Sequence, residues 1–358
     1  MKKIVLTGGG TAGHVMPNLA LLPYLHAEGY DVHYIGSKQG IEKTLCEQAG
    51  IPYHVISTGK LRRYRSLRNL TDPFRVIGGF FGSFRILGKL KPLLIFSKGG
   101  FVSVPVAAAG KLRGIPVVLH ESDLTPGLAN KLCMPFSAAV CASFPETMPH
   151  LNPKKRKLTG LPIRDELLNG SREKGLSLSG FTGEKPVLSV IGGSLGAVAI
   201  NQVVREAIDE LGAQFDIIHI CGTGNVDPTI EKDFYKQFEF VGDELADLFA
   251  CTDIVISRAG ANVIFELLAL RKPALLIPLT KSSSRGDQIQ NARNFASNGY
   301  SMLLLQEELD CTTLLSSCHQ LFEQRQVLID AMQESAVSNG TQNVLNVVYS
   351  CVKDKKSS

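Results

Sequence analysis

A histidine at the end of a glycine turn is placed to do chemistry. In "MKKIVLTGGGTAGHVMPNLALLPYL", a short apolar strand (Ile4, Val5, Leu6) runs into a turn carrying Gly8, Gly10 and Gly13, and His14 follows at once. An imidazole titrates near neutral pH and can take the proton of an attacking hydroxyl. The turn can bring backbone N–H groups to a phosphate, and the helix behind it adds partial positive charge. The same glycines also fit G-x-G-x-x-G, the dinucleotide fingerprint. A dinucleotide site needs an acid at the end of the second strand to hold the adenosine ribose. Here that strand, "YDVHYIGSKQG", ends on Gly36, Ser37 and Lys38. A nucleotide-binding oxidoreductase is therefore the minor alternative.

A second glycine turn, Gly192, Gly193, Ser194 and Gly196, repeats the layout and suits a diphosphate, although a tight turn without a ligand has the same sequence. Next, "CTDIVISRAGANVIFELLAL" reads as a strand over 253–257, a turn at Arg258–Ala261 and a helix from about Asn262. Glu266 then lies about one turn into that helix, at the edge where open α/β sheets bind ligands. Its carboxylate can accept two hydrogen bonds from a ribose diol. A solvated acid favoured by the helix dipole is the plainer alternative. "SKGGFVSVPVAAAG" (97–110) and "HESDLTPGLANK" (120–131) each place polar groups at a strand end. "GLPIR" (160–164) offers Arg164 to a phosphate, and "GDQIQNA" (286–292) offers Gln288 and Asn291 to sugar hydroxyls. No D-x-D motif is present to hold Mg²⁺ on a nucleotide diphosphate. Neutralisation is expected from helix N-termini and arginine, with no metal and no cofactor.

These residues need a scaffold, and the hydrophobic pattern supplies one. Short apolar runs closed by Gly, Ser or Thr alternate with helical segments, the pattern of buried parallel strands. The expected fold class is α/β: two Rossmann-like domains facing a cleft. The pattern breaks at "PHLNPKKRKLTGLPIRDELLNGSREKG", which reads as a linker. The net charge of +5 hides a split: residues 1–160 carry 21 Lys+Arg against 8 Asp+Glu, and residues 161–358 carry 17 against 25. Halves of opposite sign suggest different partners. Nine Lys and Arg lie between Lys60 and Lys91 against the single acid Asp72. Phe74, Ile77, Phe81, Phe84 and Leu87 sit among them at spacings of three and four, either a core face or a surface for lipid; Gly78, Gly79 and Gly82 weaken a regular helix there. The eight cysteines are scattered and read as reduced thiols. No signal peptide or membrane-spanning run is expected.

As a set, "GGGTAGHVMPNLALL", "SKGGFVSVP", "HESDLTPGLANK", "GLPIR", "GGSLGAVAIN", "SRAGANVIFELLAL" and "DQIQNA" closely resemble the MurG family along nearly the whole chain. That family comprises the glycosyltransferases that add N-acetylglucosamine to lipid I to make lipid II for peptidoglycan. The resemblance implies a GT-B fold, UDP-N-acetylglucosamine as donor, and inversion at the anomeric carbon without a catalytic metal. It implies an acceptor and membrane-facing domain over 1–160, a donor domain over 161–337, and a C-terminal helix at about 338–358 that packs back on the first domain. By resemblance, Thr11, Ala12 and Gly13 lie against the donor sugar and His14 near the reacting centre. Arg164 and Ser194 face the diphosphate, Val241 lines the uracil, and Gln288 holds sugar hydroxyls. Ala261, Asn262, Val263, Ile264, Phe265 and Glu266 wrap the nucleoside, with Glu266 on the ribose. Gly10, Gly99 and Gly100 are expected at the acceptor pyrophosphate. Ala12, Ser122, Asp123 and Leu195 depart from the commonest pattern, and Asp123 is kept as a donor-sugar contact. The expected partners are UDP-N-acetylglucosamine, lipid I and an anionic membrane surface, with no nucleic acid, and the expected location is peripheral on the cytoplasmic face of the plasma membrane. A related transferase with another glycolipid acceptor and a non-catalytic nucleotide-sugar binding protein remain as alternatives.

Overall fold

The computed structural model describes residues 2–59, 72–193, 196–281 and 286–357. The chain divides into two units, Met1–Arg164 with Asn339–Ser358, and Asp165–Ser338. Each is built on its own parallel sheet.

The first unit contains β1 (Lys2–Thr7), β2 (Tyr30–Ser37), β3 (Tyr53–Ile56), β4 (Leu94–Ser97), β5 (Val117–Glu121), β6 (Ala139–Ala142) and β7 (Arg156–Leu158). Their order in the sheet is β3-β2-β1-β4-β5-β6-β7. The direction of winding therefore reverses between β1 and β4, the position at which open parallel sheets bind ligands. In register, Thr7 lies beside Ser97, so the glycine turns that follow these two strands are neighbours. Both faces of the sheet's centre are buried, which is why β1, β4, β5 and β6 carry mostly apolar residues. One face packs under Leu21, Leu25 and the C-terminal helix Gly340–Ser357, which inserts Val344, Leu345, Val348 and Val352. The other packs under the helices Asp72–Leu90 and Ser103–Leu112. Burying four such aliphatic side chains contributes on the order of 6–12 kcal/mol measured from an extended chain, enough to hold the last helix on a sheet far from it in sequence.

The second unit contains β8 (Val187–Ile191), β9 (Asp216–Ile220), β10 (Tyr235–Phe238), β11 (Ile254–Ser257), β12 (Ala274–Leu276) and β13 (Met302–Leu303), ordered β10-β9-β8-β11-β12-β13. Its reversal falls between β8 and β11. The turns after those strands are Gly192–Gly196 and Arg258–Gly260.

Three local expectations change. The segment read as a linker contains β7, which pairs Arg156, Lys157 and Leu158 with Val140, Cys141 and Ala142. As an edge strand it tolerates the charges that made it look like a connection. The strand expected over "FEFVG" lies three residues earlier, because the Tyr235 hydroxyl meets His219 Nδ1 at 2.8 Å inside the sheet layer and fixes the register Tyr235 to Ile217. The glycines at 78–82 do not interrupt a helix: Asp72–Leu90 is continuous. A Cβ on Gly79 would stand 2.2 Å from the Ser57 carbonyl oxygen, so the glycine lets this helix pack directly on the chain leaving β3. All eight cysteines are free thiols, and burial pushes Cys46, Cys133, Cys141 and Cys318 up to about 12.

Candidate active site

In the first unit, the turn after β1 carries Gly8–Gly10, and Ala12–His14 form a short 3-10 turn. The turn after β4 carries Lys98, Gly99 and Gly100. A Cβ on Gly100 would stand 2.3 Å from the Gly9 carbonyl oxygen, and its φ of +80° is left-handed, so only glycine allows the two turns to touch. Gly10, Gly99, Gly100, Thr11 and His14 are thus brought together at the winding reversal of one sheet.

The turn after β1 is held from behind. Asn18 is fully buried and donates through Nδ2 to the carbonyl of Thr7 at 3.1 Å, to that of His14 at 3.3 Å and to the Tyr34 hydroxyl at 3.0 Å. Tyr34 in turn donates to the Gly8 carbonyl at 2.8 Å. Glu42, also fully buried, accepts from the Gly10 N–H at 3.3 Å, the Ser37 N–H at 3.2 Å and the Ser37 hydroxyl at 2.5 Å. This carboxylate near the first glycine turn is committed to the protein's own backbone, which counts against the dinucleotide reading.

His14 is partly exposed, and its Nδ1 lies 3.0 Å from the Thr11 hydroxyl. Burial, and next the charge of Lys98, lower its pKa from 6.5 to about 4, with Glu42 acting in the opposite sense. The ring is neutral at pH 7. In the tautomer whose Nδ1–H donates to Thr11, Nε2 keeps a lone pair for a proton. Across the turn, Glu121 accepts from the Asp123 N–H at 3.0 Å, the Gly127 N–H at 2.9 Å and Asn130 Nδ2 at 2.9 Å, and so shapes the loop carrying Asp123. Arg164 follows a segment clamped to the last helix: the Ile163 N–H donates to the Thr341 hydroxyl at 2.8 Å, and that hydroxyl donates back to the Ile163 carbonyl. Arg164 Nε is buried without a hydrogen-bond partner.

In the second unit, Gly193 and Gly196 take left-handed φ values of +82° and +76°. The helix Val198–Glu206 that follows has no side-chain cap, so no N-cap side chain satisfies its first amides. Ser194 and Leu195 lie outside the described residues. The helix Ala261–Leu270 after β11 likewise starts at Gly260 without a side-chain cap. Ala261, Asn262, Val263 and Glu266 are partly exposed. Ile264 and Phe265 bury their side chains, Phe265 edge-on against Phe295 at 5.4 Å, so a ligand can meet only their backbone. Asn291 donates to the Ala259 carbonyl at 3.1 Å, leaving its buried Oδ1 without a partner. Gln288 accepts from the Leu279 N–H at 3.1 Å, which orients its amide. Val241 is half-buried against the core beside β8 and β9. Among the described residues no cluster of His, Cys, Asp or Glu is placed to hold a metal ion.

Sequence reasoning missed Glu42, Asn18, Lys98 and Glu121. Glu42 carries no motif of its own, and Asn18 lies in the first glycine-turn motif with no chemistry that singles it out. Lys98 has one signal: a lysine that continues the fully buried strand β4.

The profile of the glycosyltransferase family 28 N-terminal domain matches residues 4–142, and that of its C-terminal domain matches residues 187–346. A protein of Clostridium botulinum named UDP-N-acetylglucosamine--N-acetylmuramyl-(pentapeptide) pyrophosphoryl-undecaprenol N-acetylglucosamine transferase is 53% identical over 354 residues, 99% of this chain and 100% of its own. A protein of Lachnospira eligens with the same name is 54% identical over 349 residues, 97% of this chain and 99% of its own. Among solved structures, Acinetobacter baumannii MurG superposes with a TM-score of 0.77 at 26% identity, covering 98% of this chain and 100% of that one. Two parallel sheets, each reversing at a glycine turn, and both family profiles in sequence order lead to one conclusion: the chain has the GT-B fold and belongs to glycosyltransferase family 28.

Proposed function

We infer that the protein transfers N-acetylglucosamine from UDP-N-acetylglucosamine to the 4-hydroxyl of the muramyl sugar of lipid I, giving lipid II for peptidoglycan. The observation that carries this reading is the 53% identity over 99% of the chain to a transferase named for that reaction. The attacking oxygen forms a bond to the donor C1, the bond from C1 to the diphosphate oxygen breaks with inversion, and UDP leaves with the electron pair. His14 Nε2 takes the hydroxyl proton, which a neutral imidazole can do and a protonated one cannot. The departing diphosphate is stabilised by the amides at Gly192–Gly196 and by Arg164, and Glu266 accepts from the ribose hydroxyls. Gly10, Gly99 and Gly100 serve the acceptor pyrophosphate, and Asp123 meets the donor sugar. The deciding measurement is UDP release with lipid I compared with diacylglycerol as acceptor. Release with diacylglycerol alone would replace this reading with that of a glycolipid synthase.

The same reading places the enzyme on a membrane. Phe74, Ile77 and Phe81 are 75%, 54% and 65% exposed on one side of the helix Asp72–Leu90, while Phe84 and Leu87 face the core. An acceptor with a polyprenyl tail must be met at a lipid surface, and exposed aromatics can insert there. No helix among the described residues is long and apolar enough to cross a membrane. The contact proposed is peripheral, on the cytoplasmic face, where UDP-sugars are found. Lys60, Arg62, Arg63, Arg65 and Arg68, the basic residues expected beside this face, lie outside the described residues.

A further inference from the structure

Lys98 is 1% exposed. It directly continues β4 at the winding reversal and borders both glycine turns: a Cβ on Gly8 would stand 2.7 Å from the His14 carbonyl oxygen and 3.3 Å from Lys98 Cβ. Its Nζ donates to the Ser122 hydroxyl, on the loop that also carries Asp123. Removing an ammonium from water is costly, and an apolar residue at this position would pack without that cost. We propose that Lys98 is a positioning residue of the transfer reaction: its buried ammonium ties the end of β4 to the Ser122–Asp123 loop and sets a positive charge beside the turn that carries His14.

The charges around the pair are few. His14 faces Lys98 from the end of β4 and Glu42 from the helix Ile41–Gln48. Lys98 faces His120 and Glu121 on β5, Asp123 just beyond it, and Cys141 on β6. Burial lowers Lys98 to about 8, while the two carboxylates raise it, so it is mostly charged at pH 7. A cation there opposes protonation of His14, and the imidazole stays a proton acceptor in mildly acid conditions where an isolated histidine would be charged. The Ser122 contact fixes the loop whose Asp123 is assigned to the donor sugar. This inference rests on His14 being the proton acceptor, and its test separates the two ideas.

The experiment follows the His14 Cε1 resonance in full-length, ¹³C-histidine-labelled protein, assigned with His14→Gln, alongside the pH profile of kcat/KM. In Lys98→Met the His14 midpoint should rise toward 6.5 by about half a unit or more, and the acid limb of kcat/KM should rise with it. KM for UDP-N-acetylglucosamine should change by less than about twofold. Ser122→Ala keeps the charge and loses the tie, so kcat should fall at all pH values with the His14 midpoint unmoved. An unmoved midpoint in Lys98→Met overturns the proposal. A moved midpoint with an unmoved acid limb overturns the His14 base assignment and leaves the Lys98 charge effect standing. If Lys98→Met does not fold, the unaltered protein decides: His14 should show a second, smaller inflection near pH 8 as Lys98 loses its proton, and a flat signal through that range overturns the proposal.

Discussion

The turn after β1 and the turn after β8 leave their sheets at corresponding points, yet they are surrounded by different chemistry. Behind the first lie Glu42, Lys98, Glu121 and His120, four buried titratable groups. Around the second lie the Cys221 carbonyl and Asn225, with Arg205 behind them donating to the Asn225 carbonyl. The second unit also has a deeply buried histidine, but it is a tie. His219 Nε2 reaches Asn201 Oδ1 at 3.0 Å, and Asn201 Nδ2 donates to the Cys221 carbonyl at 2.9 Å. That carbonyl is the atom a Cβ on Gly196 would meet at 2.2 Å. His219 therefore braces the second turn, whereas His14 stands at the rim of the first with one ring nitrogen uncommitted. The two turns share a backbone plan and differ in the side chains packed behind them.

The largest effect that would break this comparison is the loss of His14. General base catalysis is worth roughly 10²–10⁴-fold, so His14→Ala should lower kcat by about that factor and leave UDP affinity nearly unchanged. Turnover within about threefold of wild type would make the first turn a binding element like the second. In the second unit the opposite split is expected. Hydrogen bonds to a charged group contribute about 1.5–3 kcal/mol, so Glu266→Ala should weaken UDP binding by about tenfold or more in calorimetric titration, with the fold intact. Wild-type affinity would remove Glu266 from the site.

Smaller effects sharpen the contrast. Changing Phe74, Ile77 and Phe81 together to Ser should reduce co-sedimentation with anionic vesicles by about several-fold without altering UDP affinity, because these side chains already face solvent. Equal co-sedimentation would place the membrane contact elsewhere. The smallest expected effect is on acid stability. His14 and His219 are lowered to about 4 and about 3, mainly by burial, against 6.5 in the unfolded chain. Below pH 6.5 the unfolded chain binds protons that the native state refuses, so stability falls as the pH drops from 6.5 toward 4. The melting temperature should fall by about a few degrees between pH 7 and pH 5, and His219→Gln should flatten that decline. An equal slope in that variant would show that His219 does not contribute to it.

Much of the site was legible because glycine turns leave a mark in sequence. Gly8–Gly10, Gly99–Gly100, Gly192–Gly196 and Gly260 all stand at the two winding reversals, where backbone must approach backbone or ligand. What escaped was support without periodicity. Glu42 looks like any first-turn acid of a helix, yet its carboxylate holds Gly10 from 32 residues away. The run from Phe74 to Leu87 has helical spacing, but sequence could not divide it into Phe84 and Leu87 inside and Phe74, Ile77 and Phe81 outside. That division depends on which side of the helix meets Ser57 and the sheet.

The sequence by itself determined the alternation of buried parallel strands with helices, the two glycine-turn halves, and the identity of the groups at each turn, because strand burial and tight turns constrain residue type locally. Tertiary structure alone decided the strand order, the return of Gly340–Ser357 to the first sheet, and the protonation of His14. Those depend on groups distant in the chain: a strand's neighbours are set by crossover connections, and a histidine's charge is set first by its burial and then by the charges that packing places beside it, here Lys98 and Glu42.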